Sequence, residues 1–358
     1  MLPEDIIIEI LSWAPTMWLH HHARYVCKTW AAIIDTFHFA QLQHDRACYS
    51  KPPGLYLSNS MLPNTSYFMD SVNGQFVRND LVTPLTKGTY LISTCDGIMF
   101  CNCNYLREYF VVNPILNCSF TIPPLPSLNG ISGFLEFTLI RVPHTAKFKI
   151  FFAHSNFLYG LTIGIGNSWK EIVGGKIEPR MRMWKPVYSG SNNLYWPTME
   201  AVIVIDIYKE IIVGEYPLPY NYALNYPSPK YLWMGNCLSS IVGTNHDTSF
   251  KIYVLDIDSR RWSLHREIGT FDYVAAYGHE LTITTMSFCF WMEDQIVFKI
   301  DVDEARTTPI DPSTTIFFGY NINTRQLTKI EAIADAGEGF WIAWRHTNSL
   351  ISLPSNHA

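Results

Sequence analysis

The sequence is poor in charge and has no cluster of positive residues. Charged residues make up 16% of its 358 positions, and the formal net charge is −5. This balance argues against a nucleic-acid or membrane-surface partner. No apolar run approaches the roughly 20 residues of a membrane helix, and Glu4 and Asp5 stand where a secretory signal would carry positive charge. We therefore expect a cytoplasmic and/or nuclear protein.

The sequence also lacks the motifs of catalysis and cofactor binding. The only candidate for a phosphate loop, residues 164–166, has no third glycine and no following lysine. No nucleophile elbow and no zinc-protease motif occur. Its eight cysteines favour reduced, buried thiols. Cys95, Cys101 and Cys103 are close in sequence, but no further pair completes a tetrahedral set. The sequence predicts no catalytic residue, no metal and no cofactor.

What the sequence does have is a short helical module at its start. Pro3 suits the first turn of a helix, and the two acids that follow complement its positive end. Residues 6–11 then carry apolar side chains at helical spacing, and Pro15 ends this helix. The pattern predicts a second helix over residues 17–25 and a third that carries Val26, Trp30 and Ile33. Phe37, Phe39 and Leu42 indicate a last helical stretch before the breaker at residues 51–54.

A module of about fifty residues cannot bury this many large apolar side chains by itself. The surplus indicates a docking face for another protein, and the alternative is that this face packs on the rest of the chain. His20, His21 and His22 could suggest a metal site. Consecutive helical residues point in different directions, however, so exposed histidines are the better interpretation.

The rest of the chain resembles an all-β body. Apolar runs of strand length alternate with Gly, Pro, Asn and Ser from about Leu55 onward, which is typical of a sandwich, a barrel or a propeller. A faint repeat favours the propeller, because strand-like runs end at Asp206, Asp256 and Asp301 at roughly the spacing of one four-stranded blade. We interpret these acids as caps of the following turns, not as a catalytic pair.

The N-terminal motifs resemble an F-box. The match rests on Leu2-Pro3-Glu4-Asp5 and, at the right distance, Arg24-Tyr25-Val26-Cys27-Lys28-Thr29-Trp30. The resemblance departs at residues 20–23, where the family often places basic and leucine residues. It implies binding to a Skp-type adaptor and, through it, to a cullin and a RING subunit. The residues implied to form or support this interface are Leu2, Pro3, Ile7, Ile10, Leu11, Pro15, Leu19, Val26, Cys27, Lys28 and Trp30.

Motifs further along the chain resemble the F-box-associated, kelch-like domain of plant F-box proteins. They include Cys95-Asp96-Gly97-Ile98, Val112-Asn113-Pro114 and Phe318-Gly319-Tyr320-Asn321. The paired glycines of true kelch blades are lacking. We therefore predict an α+β multidomain chain with an F-box helical domain (residues 1–48), a linker (49–56) and a large all-β domain (57–358) that forms a β-propeller of about six blades.

Together these features predict a non-catalytic substrate receptor of a cullin-type ubiquitin ligase, with an unknown target protein. Residues 216–231, rich in Tyr, Pro and Asn, are candidate target contacts on composition alone. Two alternatives stay open. One is a carbohydrate-binding or oxidative propeller enzyme, for which the many tryptophans could line a groove. The other is an F-box protein that acts as an interaction scaffold outside a ligase.

Overall fold

The computed structural model describes residues 2–50, 54–59, 66–72, 75–79, 89–103, 106–126, 135–143, 145, 147–154, 157–165, 168–172, 184–219, 229–243, 249–269, 283–292, 295–302, 314–330 and 341–354. The chain forms an N-terminal helical domain followed by a six-bladed β-propeller. The predicted fold class is confirmed. Among the helices of the described residues, none combines the length and the apolar character needed to cross a membrane.

The helical domain contains four α-helices and one 3-10 turn. They are α1 (Glu4–Ser12), α2 (Thr16–His21), the 3-10 turn (Ala23–Tyr25), α3 (Lys28–Ile34) and α4 (Phe37–Ser50). Prolines at 3 and 15 directly precede α1 and α2, as their fixed backbone angle favours. Leu11, Leu19 and Phe39 are nearly inaccessible to solvent and form the centre of this domain.

Two of the helix predictions are wrong in their bounds. The second helix ends at His21 and not at Tyr25, because the backbone of His22 leaves the helical region and a 3-10 turn follows. Val26 lies before α3 and not within the third helix. The last helix, α4, reaches Ser50, and the first strand begins at Gly54.

Each blade is a four-stranded antiparallel sheet. Blade 1 closes the ring, because it combines the last strand of the propeller with its first three strands. Its first strand is β24 (Trp341–His346), which pairs with β1 (Gly54–Asn59), and β2 (Tyr67–Val72) and β3 (Gln75–Asn79) follow. Blade 2 consists of β4 (Thr89–Cys95), β5 (Ile98–Cys103), β6 (Glu108–Asn113) and β7 (Cys118–Thr121).

Blades 3 to 6 continue the same order around the ring. Blade 3 consists of β8 (Leu135–Arg141), β9 (Phe148–His154), β10 (Phe157–Thr162) and β11 (Lys170–Glu171). Blade 4 consists of β12 (Val187–Tyr188), β13 (Asn193–Pro197), β14 (Ala201–Asp206) and β15 (Ile211–Pro217). Blade 5 consists of β16 (Lys230–Met234), β17 (Cys237–Gly243), β18 (Phe250–Asp256) and β19 (Arg261–Ile268). Blade 6 consists of β20 (Ile283–Met292), β21 (Gln295–Val302), β22 (Thr314–Asn321) and β23 (Leu327–Lys329).

The first strand of each blade lies nearest the central axis. First strands of neighbouring blades contact one another, for example β24 with β4 and β20, and β12 with β16. Among the fourth strands, β15 alternates exposed with half-buried residues, and β19 is exposed or half-buried up to its last residue, as expected at the outer rim. The propeller therefore has a central channel lined by the six first strands.

A turn repeated in four blades follows the third strand. Asn113, Asp206, Asp256 and Asn321 each end that strand, and each side-chain oxygen accepts hydrogen bonds from the backbone N–H groups two and three residues later. The residue four positions on has a positive φ in every case, namely Asn117, Glu210, Arg260 and Arg325. The predicted capping role of Asp206 and Asp256 is confirmed.

The prediction that Asp301 caps a turn in the same way is wrong. Asp301 lies within the second strand of blade 6 and is buried. Its Oδ1 accepts a hydrogen bond from the Thr315 hydroxyl at 2.7 Å, and its Oδ2 lies 3.4 Å from the Lys299 amine. It is a buried cross-strand partner, so its spacing from Asp256 does not mark a blade repeat.

The two faces of the propeller differ in their connections. One face, which we call the proximal face, carries the short turns that join first to second and third to fourth strands, such as residues 96–97 and 114–117. At the opposite, distal face the chain leaves the fourth strand of one blade and enters the first strand of the next, as at Thr121 of β7 and Leu135 of β8. The helical domain contacts the proximal face, as shown below.

Candidate functional site

The helical domain exposes an unusual number of large apolar side chains. The side chains of Leu2, Ile10, Tyr25 and Val26 are each more than half exposed. Those of Ile6, Trp13, Trp18 and Phe37 are also exposed. Ile6, Ile10 and Trp13 follow one side of α1 at helical spacing. Side chains of this size are favoured in the buried centre of protein interfaces. We call Leu2, Ile6, Ile10, Trp18, Tyr25 and Val26 the apolar surface.

The structure divides the predicted adaptor-binding residues into two groups. Leu2, Pro3, Ile10, Pro15, Val26, Cys27 and Lys28 are exposed, and Trp30 is half-buried. Ile7, Leu11 and Leu19 are buried, with Leu11 only 1% exposed. These three side chains form the core of the helical domain and can only support a binding surface from beneath. A charged residue at Leu11 would therefore test folding and not binding.

Sequence reasoning missed four exposed apolar residues of this domain, namely Ile6, Trp13, Trp18 and Tyr25. Ile6 and Trp13 share the spacing of Ile10, and this was the available signal. Trp13 is held in place locally, because its indole N–H donates to Glu9 Oε1 at 3.2 Å and the Arg46 guanidinium lies 4.8 Å from its ring. Arg46 in turn bonds Glu9 Oε2 at 2.6 Å.

The spacing of residues around Cys27 has a structural explanation in this chain. The Cys27 backbone is extended, and its sulfur accepts a hydrogen bond from the Trp30 N–H at 3.5 Å, which caps the first turn of α3. Arg24 pairs with Asp35 at 3.2 Å and so ties the 3-10 turn to the end of α3. Together these contacts present Val26, Cys27 and Lys28 at the surface.

The three consecutive histidines do not converge. His20 is half-buried, its ring meets His21 edge-on at 4.9 Å, and its Nδ1 lies 3.3 Å from Arg24. Burial and then the neighbouring His21 and Arg24 charges lower the pKa of His20. Within the described ranges, no group of three His, Cys, Asp or Glu side chains is arranged to hold a metal ion.

The helical domain joins the proximal face through a chain of charged side chains. His44 Nε2 lies 3.3 Å from Asp96 Oδ1, and the Arg141 guanidinium lies 3.2 Å from Asp96 and 3.3 Å from Asp45. Burial alone would raise the pKa of Asp96, but the hydrogen bond from His44 and the charges of His44 and Arg141 lower it overall. Asp96 therefore stays ionised between His44 of the helical domain and Arg141 of blade 3.

The segment after β24, residues 347–354, lies between the two domains. The Asn348 carbonyl accepts from the Thr16 hydroxyl of α2 at 3.4 Å. Asn113 Nδ2 donates to the carbonyls of Ser349 at 3.0 Å and Ile351 at 2.8 Å. One continuous cluster of buried apolar side chains includes residues of both domains and of this segment: Leu11, Phe39, Ile115, Leu350 and Ile351. The C-terminal segment thus helps to fix the helical domain on blades 2 and 3.

The tryptophans of the propeller serve mainly as packing residues. Trp184, Trp233 and Trp262 pack with Tyr195 and Tyr231 in one cluster between blades 4 and 5. Trp196 is fully buried, and Trp169 meets Phe152 edge-on at 4.8 Å. This arrangement favours the packing interpretation over a sugar-binding groove. Most of the predicted target segment, residues 216–231, lies outside the described residues.

Comparison with known proteins identifies the helical domain. The family model of the F-box domain matches residues 1–42. The chain therefore carries an F-box domain followed by a six-bladed propeller, and an F-box domain implies binding of a Skp-type adaptor. A search of the curated proteins gives no match.

Several solved structures resemble the chain in fold only. A protein of unknown function from Bacteroides caccae is 12% identical with a TM-score of 0.45, over 82% of this chain and 100% of that one. A protein from Lactobacillus plantarum is 7% identical with a TM-score of 0.41, over 84% and 98%. An oligogalacturonate lyase in complex with manganese is 10% identical with a TM-score of 0.41, over 74% and 69%. Likeness at this level says nothing about what this chain binds.

Proposed function

We propose that this chain is the substrate-recognition subunit of a Skp–cullin–F-box ubiquitin ligase. The observation that carries the proposal is the F-box match over residues 1–42, in a domain whose apolar surface is exposed. Covering Leu2, Ile10 and Val26, which are each more than half exposed, would contribute on the order of 1–2 kcal/mol per side chain. A Skp-type adaptor is the partner that an F-box surface fits.

The chain would supply proximity and not chemistry. The adaptor, a cullin and a RING subunit would bring the ubiquitin donor, and the propeller would hold a target protein close to it. The ion pairs between His44, Asp96 and Arg141, each within 3.3 Å, support a fixed orientation between the two domains. A fixed orientation keeps a bound target at a constant distance from the ligase.

We also assign the propeller to the F-box-associated, kelch-like type found in plant F-box proteins. The support is the turn after the third strand, which contains Asn113, Asp206, Asp256 or Asn321 in four blades. This assignment makes the propeller a protein-binding domain. The target would dock on the distal face, because the F-box domain covers part of the proximal face.

Adaptor binding is the direct test of the F-box half of the proposal. Ile10→Asp and Val26→Asp each place a charge on the apolar surface without touching the core, since Ile10 is 56% and Val26 61% exposed. Val213→Asp is the matched control, because Val213 is 49% exposed on outer strand β15 of the propeller. Isothermal titration of the full chain with purified Skp-type adaptor measures the effect.

We expect each apolar-surface variant to weaken adaptor binding at least 100-fold and the control to leave it within threefold. Circular dichroism and thermal unfolding of each variant show that the fold is retained. Unchanged adaptor affinity in both Ile10→Asp and Val26→Asp would overturn the proposal.

A further inference from the structure

The C-terminal segment bonds both domains through neighbouring backbone carbonyls. The Asn348 carbonyl accepts from the Thr16 hydroxyl of α2 at 3.4 Å. The next carbonyl along the chain, that of Ser349, accepts from the Asn113 amide of blade 2 at 3.0 Å. Two residues further on, the Ile351 carbonyl accepts from the same amide at 2.8 Å. The segment is therefore held by the helices on one side and by blade 2 on the other.

Thr16 connects this contact to two further parts of the F-box domain. It is buried at the start of α2, and its hydroxyl oxygen accepts from Gln43 Nε2 of α4 at 3.0 Å. The same Gln43 amide donates to the Ala14 carbonyl, between α1 and α2, at 3.3 Å. The bond from Thr16 to the C-terminal segment thus acts on the point where α1, α2 and α4 meet.

Apolar side chains of the segment extend the core beneath the helices. Leu350, Ile351 and Leu353 are buried, and they belong to the same apolar cluster as Leu11 and Leu19 of the F-box domain. A helical domain of about fifty residues buries only a small core by itself. The segment therefore supplies part of the apolar surface on which the helices rest.

The position of the segment depends on closure of the propeller ring. The segment begins directly after His346, the last residue of β24, and β24 pairs with β1 along its whole length. His346 Nδ1 also lies 2.8 Å from the Thr94 hydroxyl of blade 2. Because no residue separates β24 from the segment, β24 cannot leave blade 1 without displacing the segment from beneath the F-box domain.

The far end of the segment rests on blade 3. Gly164 lies in the turn between β10 and β11 with φ of +75°, and a Cβ there would meet the ring of Pro354, at 2.6 Å from its Cβ. This close approach leaves no room for a side chain at Gly164. The segment therefore runs from blade 1, past blade 2, to blade 3, on the face that carries the F-box domain.

We infer that the C-terminal segment is the positioning element of this chain, which orients the F-box domain on blades 2 and 3 and makes this orientation depend on a closed propeller. The F-box domain precedes all six blades in the chain, and the segment follows them. The orientation is therefore fixed only when every blade is in place. This inference rests on the proposed function, in which the orientation of the F-box domain decides how the ligase faces the target.

A chain with an open ring would keep its adaptor-binding surface but lose the fixed geometry. The apolar surface of the helical domain is exposed and does not include the residues that contact the segment. Such a chain would join the adaptor and hold a target at a variable distance from the ubiquitin donor. The dependence on ring closure would thus separate complete chains from incomplete ones after adaptor binding.

Hydrogen exchange of the full chain, read by mass spectrometry, tests the inference with two pairs of variants. Ile351→Ala truncates the segment, and Ile296→Ala is its control, because Ile296 is also 0% exposed but lies in blade 6. Gly164→Ala displaces Pro354. Gly190→Ala is its control, because Gly190 has φ of +77° and nothing within 4 Å of such a Cβ. Each control repeats the chemistry of its partner away from the segment.

We expect the amides of α1 and α2 to exchange at least tenfold faster in Ile351→Ala and several-fold faster in Gly164→Ala than in the natural chain. Exchange reports local release of an element as well as global unfolding. Both controls should leave the exchange of these two helices within threefold. Gly164→Ala decides the question if Ile351→Ala does not fold.

A third pair tests the dependence on ring closure without touching the segment or the F-box domain. Ala343→Gly weakens β24 within blade 1, because glycine in a strand loses more conformational freedom on folding than alanine. Ala201→Gly makes the same change in β14 of blade 4. We expect exchange of α1 and α2 to accelerate several-fold in Ala343→Gly and to stay within twofold in Ala201→Gly. A role limited to local packing would not produce this difference.

Three results would overturn the inference. One is natural exchange of α1 and α2 in both Ile351→Ala and Gly164→Ala, and another is equal acceleration in their controls. The third is that Ala343→Gly and Ala201→Gly exchange alike. Adaptor binding of the natural chain is titrated in parallel. Its absence would overturn the proposed function, whereas adaptor binding with unchanged exchange would remove only the positioning role of the segment.

Discussion

Asn113 in blade 2 holds the carbonyl of Ile351, 238 residues further along the chain, through a hydrogen bond of 2.8 Å. The same side chain donates to Ser349 at 3.0 Å and accepts two backbone N–H groups in its own turn. It is fully buried. One amide therefore serves as a turn cap, as in three other blades, and also as the anchor for the segment on which the F-box domain lies.

Replacing Asn113 with alanine should destabilise the chain much more than the same change in an equivalent turn. Asn113→Ala leaves two carbonyls and two N–H groups buried without this partner, at a cost of about 2–4 kcal/mol. Asn321→Ala is the matched control, since Asn321 caps the corresponding turn of blade 6 at a solvent-accessible position. For Asn321→Ala we expect the free energy of unfolding to fall by about 1 kcal/mol. Urea unfolding of both variants gives the two values, and equal losses would contradict the anchoring role.

The C-terminal segment packs closely against Gly97, so a side chain at this position tests the contact. Gly97 has φ of +82°, and a Cβ there would meet Ser349 Cβ, the Ser349 N at 2.8 Å and the Thr347 O at 2.8 Å. Gly235, with φ of +58°, lies in the equivalent turn of blade 5 and has nothing within 4 Å of such a Cβ. Both alanine variants incur the cost of a left-handed residue, about 1 kcal/mol.

We therefore expect Gly97→Ala to lose about 1–3 kcal/mol more than Gly235→Ala, because it must also displace residues 347–349. Unfolding free energies supply the comparison. Hydrogen exchange at Ser349 and Ile351 should accelerate in Gly97→Ala only. If the two variants lose the same stability, the C-terminal segment does not rest on this turn.

Substitutions at two neighbouring residues of α1 should have different effects, one on folding and the other on adaptor binding. Leu11 is 1% exposed and Ile10 is 56% exposed. Leu11→Ala should lower the free energy of unfolding by about 2–5 kcal/mol. Ile10→Ala should change it by less than about 1 kcal/mol and should weaken adaptor binding instead. Thermal unfolding and adaptor titration on the same samples check both. An Ile10→Ala variant that unfolds like Leu11→Ala would contradict the assignment of the two faces.

Helix starts and turn caps can be predicted from the sequence, because they depend on residues that are close together in the chain. Pro3 and Pro15 begin the first two helices, and Asp206 and Asp256 cap turns, because each signal involves residues only a few positions apart. Asp301 looks the same in sequence, since it also ends an apolar run. Its strand is the second of its blade, and its partner Thr315 comes from the next strand. Nothing local distinguishes the two cases.

The contacts that position the candidate sites are long-range and have no local signal. The pairing of Asn113 with Ile351 and of His44 with Asp96 depends on how the blades close into a ring. The F-box motif was recognisable because its spacing lies within thirty residues, but its exposed Trp18 and Tyr25 were visible only in the folded domain.

Reconstitution of the ligase tests the central claim most directly. The purified chain is mixed with a Skp-type adaptor, a cullin and a RING subunit, and the molar mass of each eluting species is measured by light scattering after size-exclusion chromatography. We predict one species that contains a single copy of each of the four proteins, and its loss when Ile10 or Val26 is replaced by Asp. Elution of the adaptor, cullin and RING subunit together with this chain left apart would contradict the account.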